Sequence, residues 1–196
     1  MKIGCLFGTF DPPHNGHIAL AAYMRTACML DQVWLVVTPQ SPFKQNGRLT
    51  PDDHRLAMVR LAVANEPTLV ASGMELDLPG PHYTVDTLAF MRARWPGHEF
   101  SLIMGSDNLA TLHLWKDPDG ILNHHQVLVY PRPGSIEALR STEYGAHPKV
   151  RLMVDAPLMD TSSTAIRGDL RAWRPVHDRL APAVLTYIRE QGLYLR

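Results

Sequence analysis

Cysteine is scarce in this chain. Cys5 and Cys28 are the only two among 196 residues, too few for a disulfide framework and without the clustered spacing of a zinc site, so two buried thiols are expected. Net charge is missing as well: 19 basic side chains face 19 acidic ones, which leaves no bulk field to hold a nucleic-acid backbone or an anionic membrane. Neither is expected as a partner, and any phosphate must be bound locally. Long apolar runs are also lacking. The stretch that opens at Met1 ends by Asp11 and fits neither a signal-peptide core nor a membrane span, which makes a cytoplasmic location the default expectation. The signature of disorder is absent too, with 45% hydrophobic and 19% charged residues, close to the globular average. Domains run to about 100–200 residues, so residues 1–196 are expected to form a single domain around one core.

What is present is an alternation of strand-like and helix-like segments. Ile3 to Phe7 is a nearly continuous apolar run entering a Gly-Thr-Phe-Asp-Pro-Pro turn, the pattern of a strand buried on both faces. Asn15 or Gly16 then opens a helix carrying Ile18, Ala21, Ala22, Arg25 and Cys28 at helical spacing. Val33 to Thr38 repeats the buried strand, and the Pro-bounded segment Pro39 to Asp53 separates it from an amphipathic helix with Leu56, Val59, Leu61 and Ala62. Thr84 or Asp86 is placed to cap a helix bearing Val85, Leu88, Met91 and Trp95; Phe100 to Met104, Gln126 to Tyr130 and Val150 to Val154 read as further strands. Ser162 or Ser163 can cap a helix with Ile166, Leu170 and Trp173, and Ala183 to Gln191 forms a last helix stopped by Gly192. Strands separated by helices imply parallel pairing through right-handed crossovers. The expected fold is α/β: a single Rossmann-like, doubly wound domain with a mainly parallel central sheet, helices on both faces, and a C-terminal helical part from about residue 162.

In open α/β sheets ligands sit beyond the carboxyl ends of the strands, where the first turn meets its helix and exposes backbone N–H groups. That turn holds His14-Asn15-Gly16-His17. Histidines three apart at a helix start project to one side, and the glycine lets a phosphate come close to the backbone. An isolated pair at this spacing is more often ordinary surface, and zinc would want a third ligand and a carboxylate such as the Glu of H-E-x-x-H, which this pair lacks. Its position directly after the first strand favours a nucleotide phosphate.

Gly8 to His17 resembles, without a gap, the first loop of the HxGH nucleotidyltransferases, the adenylyl- and cytidylyltransferases in which Gly-Thr-Phe-Asp-Pro precedes H-x-G-H. Their second signature, S-S-T-x-I-R, is reproduced by Ser162 to Arg167. That segment also makes physical sense, because hydroxyls and free N–H groups at a helix N-terminus attract phosphate oxygens and Arg167 adds a permanent charge one turn inside. Over nearly its whole length the chain is similar to the bacterial nicotinate mononucleotide adenylyltransferases. Tyr83 to Leu88 matches their Y-T-x-D-T-L, Gly105-Ser106-Asp107 their G-x-D, Trp115-Lys116 their tryptophan-centred loop, Pro131 to Gly134 their P-R-P-G, and Tyr187-Ile188 with Gly192-Leu193-Tyr194 their ending.

The resemblance implies an enzyme of NAD biosynthesis that transfers AMP from ATP to nicotinate mononucleotide, releasing pyrophosphate. It implies ATP contacts from Gly8, Thr9, Phe10, His14, Gly16 and His17 in the first loop, from Gly105 and Asp107 after a later strand, and from Ser162, Ser163, Thr164 and Arg167. Tyr83, Thr84, Trp115 and Arg132 would hold the acceptor, with Trp115 stacked on the pyridine ring. Such a transfer needs positioning and charge stabilisation rather than covalent chemistry. His14 and His17 are expected on the α-phosphate, and Lys44 and Arg167 with the Ser162–Thr164 helix end on the departing pyrophosphate. Magnesium would travel with ATP and keep most of its waters, so no metal-ligating residue is expected. Two departures from the family pattern bear on the acceptor: Phe43 replaces a histidine beside Lys44, and Leu78 and His82 stand where an arginine and a serine are usual. Alternatives left open are nicotinamide mononucleotide, phosphopantetheine, a sugar or alcohol phosphate with CTP, or a nucleotide-binding module without catalysis. A homo-oligomer is left open as well.

Overall fold

Every apolar run just described becomes a strand, and the strands share one sheet. The computed structural model describes residues 1–39, 49–132, 142–158 and 161–195. Strands β1 (Lys2–Gly8), β2 (Gln32–Val37), β3 (Leu69–Ser72), β4 (Glu99–Gly105), β5 (Val127–Tyr130) and β6 (Val150–Leu152) lie in the order β3-β2-β1-β4-β5-β6. All five pairings are parallel. The helices among the described residues are α1 (Asn15–Ala27), α2 (Asp52–Ala62), α3 (Thr84–Arg94), α4 (Ser106–Ala110), α5 (Pro118–His124), α6 (Ser163–Arg171) and α7 (Pro182–Glu190). This is the doubly wound, Rossmann-like α/β fold, and its strand order reverses between β1 and β4, where a crevice opens beyond the carboxyl ends.

Alternation along the strands divides the interior into two layers. Leu6, Val33, Leu35, Ile103 and Leu128 face one side and pack with Leu20, Ala21 and Met24 of α1 and Val59 of α2. Ile3, Cys5, Val36, Leu102, Met104, Val127 and Val129 face the other, against Leu88 and Met91 of α3 and Ile121 and Leu122 of α5. A third cluster joins Met58 of α2 to Ile166 and Leu170 of α6 and to Val184, Leu185 and Ile188 of α7. The C-terminal helices are thereby docked on α2, and His54 Nδ1 lies 2.8 Å from the Tyr187 hydroxyl across that seam. No helix among the described residues is long and apolar enough to cross a membrane.

Several expectations need correcting. β3 was not anticipated, because four residues, Leu-Val-Ala-Ser, are too few to establish a period. The same holds for α4 and α5, of five and seven residues. Helix α3 begins at Thr84 with Tyr83 at its N-cap, so neither Thr84 nor Asp86 is the cap. Trp173 lies beyond the end of α6 in a left-handed conformation (φ 55°) and is 79% exposed, instead of sharing the buried face of Ile166 and Leu170. Cys5 is buried as expected, while Cys28 is only half-buried.

One residue that reads as an exposed helix position is completely buried: Arg55, at 0% exposure. Its Nη1 donates to the carbonyls of Thr9 (2.6 Å) and Thr38 (2.7 Å), its Nε to that of Thr50 (3.0 Å), and its Nη2 pairs with Asp52. One guanidinium therefore ties the chain leaving β1 and the chain leaving β2 to the start of α2, using the fork geometry that a single ammonium lacks. Removing it would leave buried acceptors without donors. Arg55→Met is expected to cost about 3–5 kcal/mol of stability, and Arg55→Lys to recover only part of that, as read from urea unfolding midpoints.

Candidate active site

The chain leaves β1 through Gly8-Thr9-Phe10-Asp11 and a cis Asp11–Pro12 bond. Phe10 holds a left-handed backbone (φ 46°), uncommon for an aromatic residue, and its buried ring turns back under Gly8. A β-carbon on Gly8 would meet that ring at 3.1–3.3 Å, so the glycine makes room for the phenylalanine. The carbonyls of this turn are directed into the protein. Gly8 O accepts from Thr38 N (2.9 Å) and Thr9 O from Arg55. Because C=O and N–H point oppositely across a trans peptide, the N–H groups of Thr9 and Phe10 face away from these donors.

His14 is the N-cap of α1, and Gly16 and His17 fall in its first turn. The two imidazoles stack, with centroids 3.7 Å apart at 29°, and the Phe10 ring meets His17 edge-on at 5.1 Å. His14 main-chain N–H donates to His17 Nδ1 (3.1 Å), which fixes the His17 tautomer: the remaining proton sits on Nε2, which is a donor. His14 is 3% exposed, and its Nδ1 has no hydrogen-bond partner among the described residues. Burial, reinforced by the charge of Arg132, lowers the His14 pKa from 6.5 to about 4. His17 is pushed well below 6.5 by burial, then by His14 and Arg132. Both rings are neutral hydrogen-bond donors near pH 7, since burial disfavours the imidazolium.

The late helix reaches this turn from 151 and 156 residues away. Arg167 Nη1 donates to Asp11 O (2.6 Å) and Ser163 Oγ to Pro12 O (2.8 Å). Ser162 caps α6 by accepting from Ala165 N (3.1 Å), and Thr164 Oγ1 accepts from Arg167 Nη2 (3.3 Å). The first loop and the late helix thus meet in space, with the serine hydroxyls turned to internal partners. Asn15 adds two further ties, from its N–H to Arg179 O (2.9 Å) and from its amide to Asp178 O (3.0 Å).

Beside this junction a cleft of about 440 Å³ opens at the ends of β1, β2 and β4. Gly8, Thr9, Tyr83, Thr84 and Trp115 of the anticipated residues line it, along with Glu75, His82, Asn108, Thr111 and Lys116. Lys116 Nζ bonds both Asp86 oxygens (2.9 and 2.7 Å) and lies 5.0 Å above the Tyr83 ring, tying the Trp115 loop to the start of α3. Glu75 is 2% exposed and accepts from Thr87 Oγ1 (2.6 Å). Burial raises its pKa, while the Thr87 hydroxyl and His82 act the other way. Nothing in Met-Glu-Leu-Asp signals that this glutamate is buried; its setting comes from the short 3-10 turn lying against β2 and meeting Thr87 of α3.

Arg132 and Asp107 form a separate group beyond β4 and β5. Arg132 Nε is 3.8 Å from Asp107 Oδ1, its main-chain N–H donates to Ser106 Oγ (2.9 Å), and its guanidinium lies 5.4 Å over the Tyr130 ring. Arg132 does not line the cleft that Tyr83, Thr84 and Trp115 share; its field reaches the histidine pair instead. Gly105 is the N-cap of α4, and Asp107 in the first turn of that helix is exposed, between the buried Ser106 and Leu109. Lys44 and Phe43 lie outside the described residues.

A parallel sheet with an anion-adapted first turn and a basic late helix is a nucleotidyltransferase arrangement, and the family comparison agrees: residues 5–169 match the family described as cytidylyltransferase-like, to which this chain belongs. Among curated relatives, it is 42% identical over 194 residues, 99% of each chain, to a protein of Flavobacterium johnsoniae named probable nicotinate-nucleotide adenylyltransferase. It is 34% identical over 194 residues, 98% of each chain, to the Bacillus subtilis protein named nicotinate-nucleotide adenylyltransferase. The fold superposes on the Plasmodium falciparum nicotinic acid mononucleotide adenylyltransferase complexed with NaAD, with a TM-score of 0.75, 19% identity, and 98% and 97% of the two chains covered.

The depressed His14 pKa makes stability depend on pH. Between pH 6.5 and about 4 the unfolded chain binds a proton that folded His14 refuses, so stability falls as pH drops through that window and His14 contributes no slope above it. The ring Cε1–H resonance of His14 should titrate with a midpoint near 4, and His14→Gln should flatten the decline of the thermal midpoint between pH 6.5 and 4.5.

Proposed function

We propose that this chain transfers the AMP group of ATP to nicotinate mononucleotide, forming nicotinate adenine dinucleotide and pyrophosphate. The observation that carries the reading is the meeting of Arg167 with the turn that bears His14 and His17, beside a cleft walled by Tyr83, Thr84 and Trp115. The full-length relatives carrying the nicotinate-nucleotide adenylyltransferase name support it.

In this reading the acceptor's pyridine ring lies against Trp115, with the start of α3 at Tyr83 and Thr84 beside it. Its 5′-phosphate attacks the α-phosphorus, and the bond to the bridging oxygen of pyrophosphate breaks on the opposite side. The Nε2–H of His17 and the ring of His14 hydrogen-bond the α-phosphate oxygens, whose charge changes most in the transition state. The N–H groups of Thr9 and Phe10, together with Gly16, give the chain of phosphates a backbone surface to lie on. Arg167 and the start of α6 receive the leaving pyrophosphate, a role Lys44 shares in this reading, while Gly105, Asp107 and Arg132 flank the adenosine side. ATP enters as its magnesium complex, in which the metal is held mostly by phosphate and water. Among the described residues no group of three or more His, Cys, Asp or Glu could hold a metal.

A second acceptor is favoured by one observation. Glu75 places a buried hydrogen-bond acceptor in the cleft wall, which suits a carboxamide better than a carboxylate. Nicotinamide mononucleotide is therefore tested beside nicotinate mononucleotide, with phosphopantetheine as control, by pyrophosphate release from MgATP. Nicotinate mononucleotide should give the highest kcat/KM, and Glu75→Gln, which removes the acceptor carboxylate that suits a carboxamide, should widen its lead over nicotinamide mononucleotide without abolishing turnover. A chain that releases pyrophosphate with none of the three refutes the proposal. His17→Ala should lower kcat by a factor on the order of 10²–10³, and unchanged turnover would remove the histidine from the mechanism.

A further inference from the structure

Asp11 is a carboxylate at 3% exposure inside the turn that carries the histidines. Its Oδ1 accepts from the hydroxyl of Tyr194, 183 residues later, and its Oδ2 faces the N–H of Thr50 at 3.5 Å. Arg167 touches the same residue in a selective way. Its Nη1 is 2.6 Å from the main-chain oxygen of Asp11 but 3.9 Å from Oδ2. A carboxylate and a guanidinium this close would ordinarily close into a short, bidentate pair. Here the carboxylate is held off by donors from two other parts of the chain. The segment that presents Tyr194 is itself fixed, because Leu193 N–H donates to Ile188 O (2.9 Å) and both Leu193 and Tyr194 pack on the cluster shared by α2, α6 and α7. The Arg167 side chain remains 24% exposed.

We infer that Tyr194 is a positioning residue for the phosphate site: by engaging the Asp11 carboxylate it keeps that anion from closing onto Arg167, leaving the guanidinium available to the triphosphate. The inference rests on the proposed role of Arg167 in binding ATP phosphates. Without the hydroxyl, Asp11 competes with the incoming phosphates for the same donors. The competition concerns the nucleotide alone, since the acceptor cleft does not include Asp11, Arg167 or Tyr194.

The test uses the full chain carrying Tyr194→Phe, Asp11→Asn, or both. Tyr194→Phe should weaken MgATP binding, measured by calorimetry, by about three- to tenfold. The KM for MgATP and the inhibition constant of pyrophosphate should rise in step, while the acceptor KM stays near wild type. In the Asp11→Asn background the same substitution should do little, because no carboxylate remains to be restrained. Unchanged ATP affinity in Tyr194→Phe, additive effects in the double variant, or a parallel rise of both KM values with a lower thermal midpoint would each overturn the inference. If wild type binds MgATP but forms no dinucleotide, the acceptor assignment fails while the calorimetric comparison still decides the role of Tyr194.

Discussion

The turn that leaves β1 has to satisfy its own carbonyls, and the rest of the structure is organised around how it does so. A buried carbonyl without a donor is costly, and a turn containing two prolines has few donors of its own. The donors come instead from Thr38 after β2, Arg55 in α2, and Arg167 and Ser163 in α6. Each of these ties brings a distant segment to the carboxyl end of the sheet. Their sum is a turn whose oxygens are satisfied by the protein and whose Thr9 and Phe10 N–H groups point away from those donors. The demand for internal hydrogen bonding and the ability to receive an anion are thus two sides of the same peptide planes.

That arrangement explains how a chain with no net charge can be built to bind a polyanion. The positive field is local: Arg167 bonds the turn itself, Arg132 acts on the histidines from the end of β5, and the first turn of α1 adds its dipole. Burial, reinforced by the charge of Arg132, keeps His14 and His17 uncharged. Their stacking at 3.7 Å suits rings that do not repel one another. Neutral rings still offer N–H donors, and the His14 N–H to His17 Nδ1 bond decides which nitrogen of His17 does so. In the proposed reaction an approaching phosphate would meet oriented dipoles, whose interaction strengthens as charge accumulates on it and which need little reorganisation.

Much of the fold was legible beforehand because each strand buried on both faces leaves a continuous apolar run, and helices between such strands leave a 3.6-residue period. Ile3 to Phe7, Val33 to Thr38 and Phe100 to Met104 are of this kind, and each became a strand with ends shifted by a residue or so. β3, α4 and α5 were missed because they are too short to display a period and are stabilised by neighbours rather than by their own pattern. Within the candidate site, the residues carried by contiguous motifs could be named in advance. Arg55, Glu75, Asp11 and Tyr194 could not be assigned their places, because each owes its setting to partners 12 to 183 residues away.

The linear sequence determined the α/β class, the histidine pair at the start of the first helix, and the presence of a second phosphate-type motif near the other end of the chain, since these depend on local periodicity and on residue types at fixed short spacing. It could not determine that the second motif would spend its serine hydroxyls internally, that Arg132 would stand with Asp107 and apart from Trp115, or that the Asp11 carboxylate would lie between Tyr194 and Arg167. Those outcomes depend on how β4 and β5 pair, on how the C-terminal helices dock against α2, and on which buried polar groups must find each other once they have. They are fixed by long-range packing and hydrogen-bond satisfaction, which act only when the whole chain has closed.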